Sequence, residues 1–168
     1  PATQQRSGLD VEVVVGEPKV HRARAIQLGD YCLGLYGARD YLHEHGTPTS
    51  IAELSRFPLV YFIDAMLQVD VLDVATSFAP AMRESVTSTN VFVHVEATRA
   101  CAGLGLLPCF MADRHDDLVR VLPSAVAVQL SYWLVTRAET LRRPEVAAVV
   151  DAIRTQMADQ REVLLGRI

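Results

Sequence analysis

The run from Val86 to Met111, VTSTNVFVHVEATRACAGLGLLPCFM, restricts the fold of this 168-residue chain more than any other segment. It opens on Val86-Thr87-Ser88-Thr89-Asn90, rich in β-branched and hydroxyl side chains, and continues for about three helical turns. It then breaks at Ala102-Gly103-Leu104-Gly105 into a short apolar run stopped by Pro108. The pattern predicts a strand, a capped helix, a glycine turn and a second strand. A helix begun in this way presents N–H donors and a partial positive charge at its start. A small polar or anionic ligand fits such a place, and Ser, Thr and Asn serve equally well as caps with no ligand. The local sequence leaves both readings open.

Composition narrows the choice of class. Half of the residues are hydrophobic, enough for a proper core in one domain or two small lobes. With 21% charged residues and a net charge of −4, no basic face is advertised, so this chain by itself is a poor DNA binder. Cys32, Cys101 and Cys109 show no CxxC spacing and sit within or beside apolar runs, which predicts reduced core thiols in a cytoplasmic protein. No window is long and apolar enough to span a bilayer, and PATQQRSG lacks the core of a signal peptide. A soluble protein without membrane partners is the expectation.

In chain order, Leu9 to Gly16 reads as a strand whose triple valine suits an interior, parallel position. After a polar connection, Asp30 to Gly37 reads as a second strand. A short helix from Ala38 to His45 follows, stopped by Gly46. Ser50 and Glu53 have capping-box spacing for a helix over Ile51 to Ser55. Leu59 to Ile63 is a compact strand, and Asp64 stands at its carboxyl end, where ligands collect in open α/β sheets. Ala65 to Phe78 has the spacing of an amphipathic helix. Leu118 to Leu122 and Val126 to Thr136 read as strands. In the last helix Val146, Val149, Val150, Ile153 and Met157 share an apolar face from which Glu145, Asp151, Arg154 and Asp159 are excluded. Strands alternating with helices predict an α/β architecture with a mostly parallel sheet.

Nothing assembles into a catalytic set. His43-Glu44-His45 sets two imidazoles two apart, unlike the four-residue spacing of a helical zinc site, and reads as a solvated helix end. Asp113 to Asp117 lacks the interior glycine and closing glutamate of a calcium loop and reads as a solvated turn. There is no Gly-x-Ser-x-Gly elbow and no phosphate loop, and His94 reads chiefly as a packed or surface histidine. No enzyme, cofactor or metal site is predicted.

The order of several segments carries a family resemblance. Leu9-Asp10-Val11-Glu12-Val13-Val14-Val15-Gly16 is followed by Tyr36-Gly37-Ala38-Arg39-Asp40-Tyr41-Leu42 with His45-Gly46-Thr47-Pro48, then Ile51-Ala52-Glu53-Leu54 ahead of Pro58-Leu59-Val60. The turn Ala102-Gly103-Leu104-Gly105-Leu106-Leu107-Pro108 comes next, then Asp117 to Pro123. Trp133-Leu134-Val135, Leu141-Arg142-Arg143 and a long helix close the series. Together they resemble the effector-binding (substrate-binding) domain of LysR-type transcriptional regulators, from about Leu9 to the final helix.

That resemblance implies an α/β fold of the type 2 periplasmic-binding-protein kind, two lobes joined by crossing strands, with 1–37 and 131–168 as lobe I and 38–130 as lobe II. It implies a small-molecule effector held between the lobes, with Phe62, Ile63 and Asp64 at a strand end and Ser88, Thr89, Asn90 and Val91 at a helix start as its binding residues. The implied partners are that effector and a second copy in a homodimer, with DNA reached only through a DNA-binding domain outside this sequence. Relative to the family pattern, the chain has no winged helix-turn-helix or linker helix. It also lacks the strand, helix and strand expected before Leu9, which leaves lobe I incomplete. The alternative is a solute-binding receptor of the same fold serving a transporter.

Overall fold

A computed structural model describes residues 9–20, 23–61, 82 and 84–166, and the elements below are those of the described residues. The helix expected over Ala65 to Phe78 lies outside them. In order they are β1 (Val11–Val15), β2 (Arg24–Ala38), α1 (Arg39–His45), a 3₁₀ turn (Ile51–Arg56), β3 (Leu59–Tyr61), β4 (Glu84–Thr87) and α2 (Val91–Arg99). They continue with β5 (Leu104–Pro108), α3 (Cys109–Ala112), β6 (Leu118–Val121), β7 (Ala127–Thr136), a 3₁₀ turn (Thr140–Arg142), α4 (Pro144–Asp159) and α5 (Arg161–Leu164). The chain divides into two compact units, one of Pro1–Tyr31 with Leu130–Ile168 and one of Cys32–Gln129.

In the first unit β1 pairs antiparallel with β7, from Val11 opposite Thr136 to Val15 opposite Tyr132, and β7 also neighbours β2. The triple valine therefore does not mark an interior parallel strand: Val13 is 49% exposed. An apolar run favours extended backbone and burial but does not encode the direction of its partner. The core of this unit is Leu134, Val146 and Val150, with Val11, Ile26, Leu28 and Leu141 packed on it. In α4 the predicted apolar face holds for Val146 and Val150, with Ile153 and Met157 half-buried. Val149 is half-exposed, because the face touching the core is narrower than five residues. Ser131 donates to Asp30 Oδ1 at 2.5 Å, and Tyr31 stacks on Tyr132 with ring centroids 4.4 Å apart.

In the second unit β2 lies between β5 and β6, antiparallel to both, and β3 lies between β5 and β4, parallel to both. The sheet is thus mixed and not mostly parallel, since β2 runs against both of these neighbours while β3 runs with both of its own. Leu35, Tyr36, Leu54, Val60, Leu104, Leu106, Leu107 and Val121 are at most 2% exposed and form its core. The glycine turn before β5 is set by contact: Gly103 has φ +150°, and a Cβ there would run into the Pro58 carbonyl. That carbonyl accepts from Leu104 N at 2.9 Å, which fixes β5 beside β3. Glu53 does cap its turn, but through Thr49, whose amide and hydroxyl donate to it at 2.9 and 3.1 Å. Ser50 makes no side-chain cap bond.

Candidate functional site

The predicted strand, capped helix, glycine turn and strand are β4, α2, residues 100–103 and β5. Between β4 and α2, Ser88-Thr89-Asn90 forms a turn held from three sides. Ser88 N donates to Tyr61 O, the last carbonyl of β3, at 3.2 Å. Asn90 N donates to Ser88 Oγ at 3.1 Å, and Phe92 N donates to Asn90 Oδ1 at 2.9 Å, so Asn90 is the N-cap. From the helix interior, His94 Nε2 reaches back to the Ser88 carbonyl at 2.9 Å.

His94 is fully buried, with its ring 6.3 Å from that of Tyr61. Because a carbonyl can only accept, Nε2 carries the proton in this bond. Burial pulls the imidazole below its ordinary range, partly offset by that hydrogen bond. His94 is therefore a neutral strut under the turn. Within the same helix the Thr98 hydroxyl donates to His94 O at 2.8 Å.

The donors left over define the chemistry. Val93 N and His94 N both reach Asn90 O, so of the amides from Ser88 to His94 only those of Thr89 and Val91 have no partner among the described residues. Thr89 and Asn90 are exposed, and Ser88 and Val91 are half-buried. The turn thus offers two N–H groups at the positive end of a helix dipole. Replacing Asn90 with Ala removes one cap bond, and thermal melts are expected to record a loss of about 1 kcal/mol.

Of the seven residues singled out from the sequence, the structure brings Ser88, Thr89, Asn90 and Val91 into this one turn. Phe62, Ile63 and Asp64 follow β3 in the chain and lie outside the described residues. Elsewhere in the unit, His43, Glu44 and His45 are exposed, and His45 stacks on Tyr41 at 4.4 Å. Asp113 accepts from the Tyr36 hydroxyl at 2.7 Å, and Asp117 takes both of its oxygens to Arg99 Nε at 3.1 and 2.9 Å. The acidic turn is thus tied to the sheet and to the end of α2. Cys32 and Cys109 are buried, whereas Cys101 is exposed, so the expectation of core thiols fails at that position. Cys101 is the left-handed residue, φ 62°, that ends α2, where the chain must turn outward. Among the described residues no helix is long and apolar enough to cross a membrane.

Comparison with known proteins adds the family. The model of the LysR substrate binding domain matches residues 2–158. Solved structures similar to the chain include the regulatory domain of CrgA, a LysR-type transcriptional regulator from Neisseria meningitidis, with TM-score 0.75 and 19% identity over 88% of this chain and 75% of that one. The effector domain of the transcriptional regulator AmpR of Pseudomonas aeruginosa gives 0.69 and 21%, over 92% of this chain and 74% of that one. Full-length AphB, the Vibrio cholerae virulence activator, gives 0.72 and 18% over 93% of this chain, which spans only 55% of the length of AphB. No curated protein matches significantly in sequence. The fold is α/β of the type 2 periplasmic-binding-protein kind, and a transporter receptor is not the favoured reading. With almost its whole length matched by that one model, the chain belongs to the LysR substrate-binding domain family, the ligand-sensing regulatory part of LysR-type regulators.

Proposed function

We propose that the turn at the start of α2 is where this domain holds its effector, a small polar or anionic molecule met by the amides of Thr89 and Val91 and by the side chains of Ser88, Thr89 and Asn90. The observation that carries this reading is the pair of amides, those of Thr89 and Val91, that have no partner among the described residues in a turn whose other amides are bonded. Capping accounts for Asn90 but leaves those two donors over, and a helix start favours negative charge beside them. Phe62, Ile63 and Asp64, which continue the chain from the β3 end bonded to Ser88, supply further contacts. Residues 1–37 with 131–168 and residues 38–130 act as the two lobes of the sensor. The effector works by differential affinity: it favours the arrangement it binds better, and the state of the whole regulator follows. That regulator is a cytoplasmic homodimer acting on DNA through its DNA-binding domain.

The test uses a substitution that removes one amide without disturbing the helix. Val91 is the first residue of α2, where proline is tolerated, and Asn90 before it is extended at φ −112°, ψ 116°, as proline requires. Small carboxylates and phosphate esters are screened by thermal shift, and hits are titrated by calorimetry. A saturable ligand is expected, with affinity about tenfold lower in Val91→Pro, the worth of one charge-assisted hydrogen bond. An equal affinity in Val91→Pro, at unchanged helix content, places the ligand elsewhere.

A further inference from the structure

Away from that turn, one face of the second unit gathers two thiols and a guanidinium that the proposed function does not use. The β2–β5 register runs from Tyr36 opposite Gly105 to Leu33 opposite Pro108, and Cys109, which follows Pro108 and opens α3, has the Cys32 thiol as a neighbour. Arg120, opposite Tyr36 on β6, joins them from the other side of β2. Its Nη2 lies 3.7 Å from Cys32 Sγ. Gly34 leaves the room for this: a Cβ there would stand 2.8 Å from Arg120 Nε and 3.2 Å from Cys109 Sγ. Cys32 is 8% exposed and Cys109 fully buried.

The charge of this cluster is unbalanced. Arg120 forms no ion pair with a carboxylate among the described residues, and its Nε is buried without a hydrogen-bond partner there. A cation in such a place favours a nearby negative charge. We propose that Cys32 and Cys109 form a two-thiolate site for a soft monovalent d¹⁰ cation of the Cu(I) or Ag(I) class, with Arg120 as its counter-charge.

On binding, two S–H bonds break, two metal–sulfur bonds form and two protons leave to solvent, with no change of oxidation state. The bis-thiolate complex carries one negative charge, which the guanidinium neutralises. The competing fates of a thiol pair lack this match. A disulfide is neutral and leaves Arg120 uncompensated. A divalent ion with two thiolates is also neutral, and zinc needs more ligands, whereas among the described residues no group of three or more His, Cys, Asp or Glu is placed to hold a metal. Thiolates select soft ions such as Cu(I).

The experiment titrates the reduced full chain anaerobically with Cu(I) against a competing chromophoric chelator, then records X-ray absorption of the loaded protein. One equivalent bound with two sulfur scatterers is expected, retained in Cys101→Ala and lost in Cys32→Ala and Cys109→Ala. Arg120→Met is expected to weaken binding about 10–100-fold, the usual effect of losing an outer-shell partner, and Arg120→Lys to restore most of it. Nitrogen or oxygen ligation, three sulfurs, or loss of binding in Cys101→Ala overturns the proposal. So does quantitative closure of a Cys32–Cys109 disulfide by dilute peroxide without metal. The spectrum of the unmodified protein decides the ligand set even if a cysteine variant fails to fold.

Discussion

Gly103→Val is expected to lower the stability of the domain by about 3–5 kcal/mol, the sum of forcing a side chain into a glycine backbone region and overpacking a filled site. Both costs arise at one place. Gly103 has φ +150°, and the first carbon of any side chain would meet the Pro58 carbonyl, backbone that cannot swing aside. That carbonyl also receives the Leu104 amide. Relieving the clash therefore means losing the bond that aligns β5 with β3, and with it the pairing of Leu59 with Leu104. Chemical denaturation is the measurement. A loss below about 1 kcal/mol, the typical effect of an unremarkable substitution, contradicts the assigned role.

The second large effect is expected at His94. His94→Ala removes a fully buried ring and the donor to Ser88 O, at a cost of about 3 kcal/mol from cavity and lost hydrogen bond together. The turn proposed to hold the effector rests on that bond, so ligand affinity is expected to fall with it. A pH signature separates this residue from other core positions. Burial holds the folded-state value of His94 below the ordinary one of about 6.5. As pH falls below that ordinary value, the unfolded chain takes up the proton while the folded chain resists it. The stability contributed by the neutral strut is thus complete above about pH 6.5 and is lost progressively below it. His94→Gln retains an amide donor without an ionisable group. Its denaturation midpoint is expected to change less than that of the unmodified protein between pH 7 and 5, and an identical pH dependence in both assigns the proton uptake to another group.

How much of this is legible in the sequence depends on whether the controlling contact is local. The capped start of α2 is local: Asn90 bonds two residues on, and its type alone advertises the role. The glycine turn is likewise visible in Gly103. β2 is not, because its first half is part-exposed in one unit and its second half wholly buried in the other. No period-two alternation survives along it, and Arg24 and Gln27 make its opening read as a connection. The direction of β1 is set by β7, more than a hundred residues away in the chain, and three valines in a row carry no record of that. Ser50 and Thr49 are equally good caps by type, and only the geometry of the turn selects Thr49. His94 sits at no motif spacing; its tie to Ser88 closes only once α2 has coiled. The meeting of Cys32, Cys109 and Arg120 has no local signal, since it follows from β6 pairing on one side of β2 and from β5, with the start of α3, on the other.

The exposed Cys101 has a practical consequence. Both other sulfurs are buried, so a maleimide dye applied to the native chain in reducing conditions will attach at that one position without prior mutagenesis. It would sit at the opposite end of α2 from the Ser88–Asn90 turn proposed to hold the effector, one helix length, about 14 Å, away. Ligand-dependent tightening of the helix would then be readable as a change in dye anisotropy.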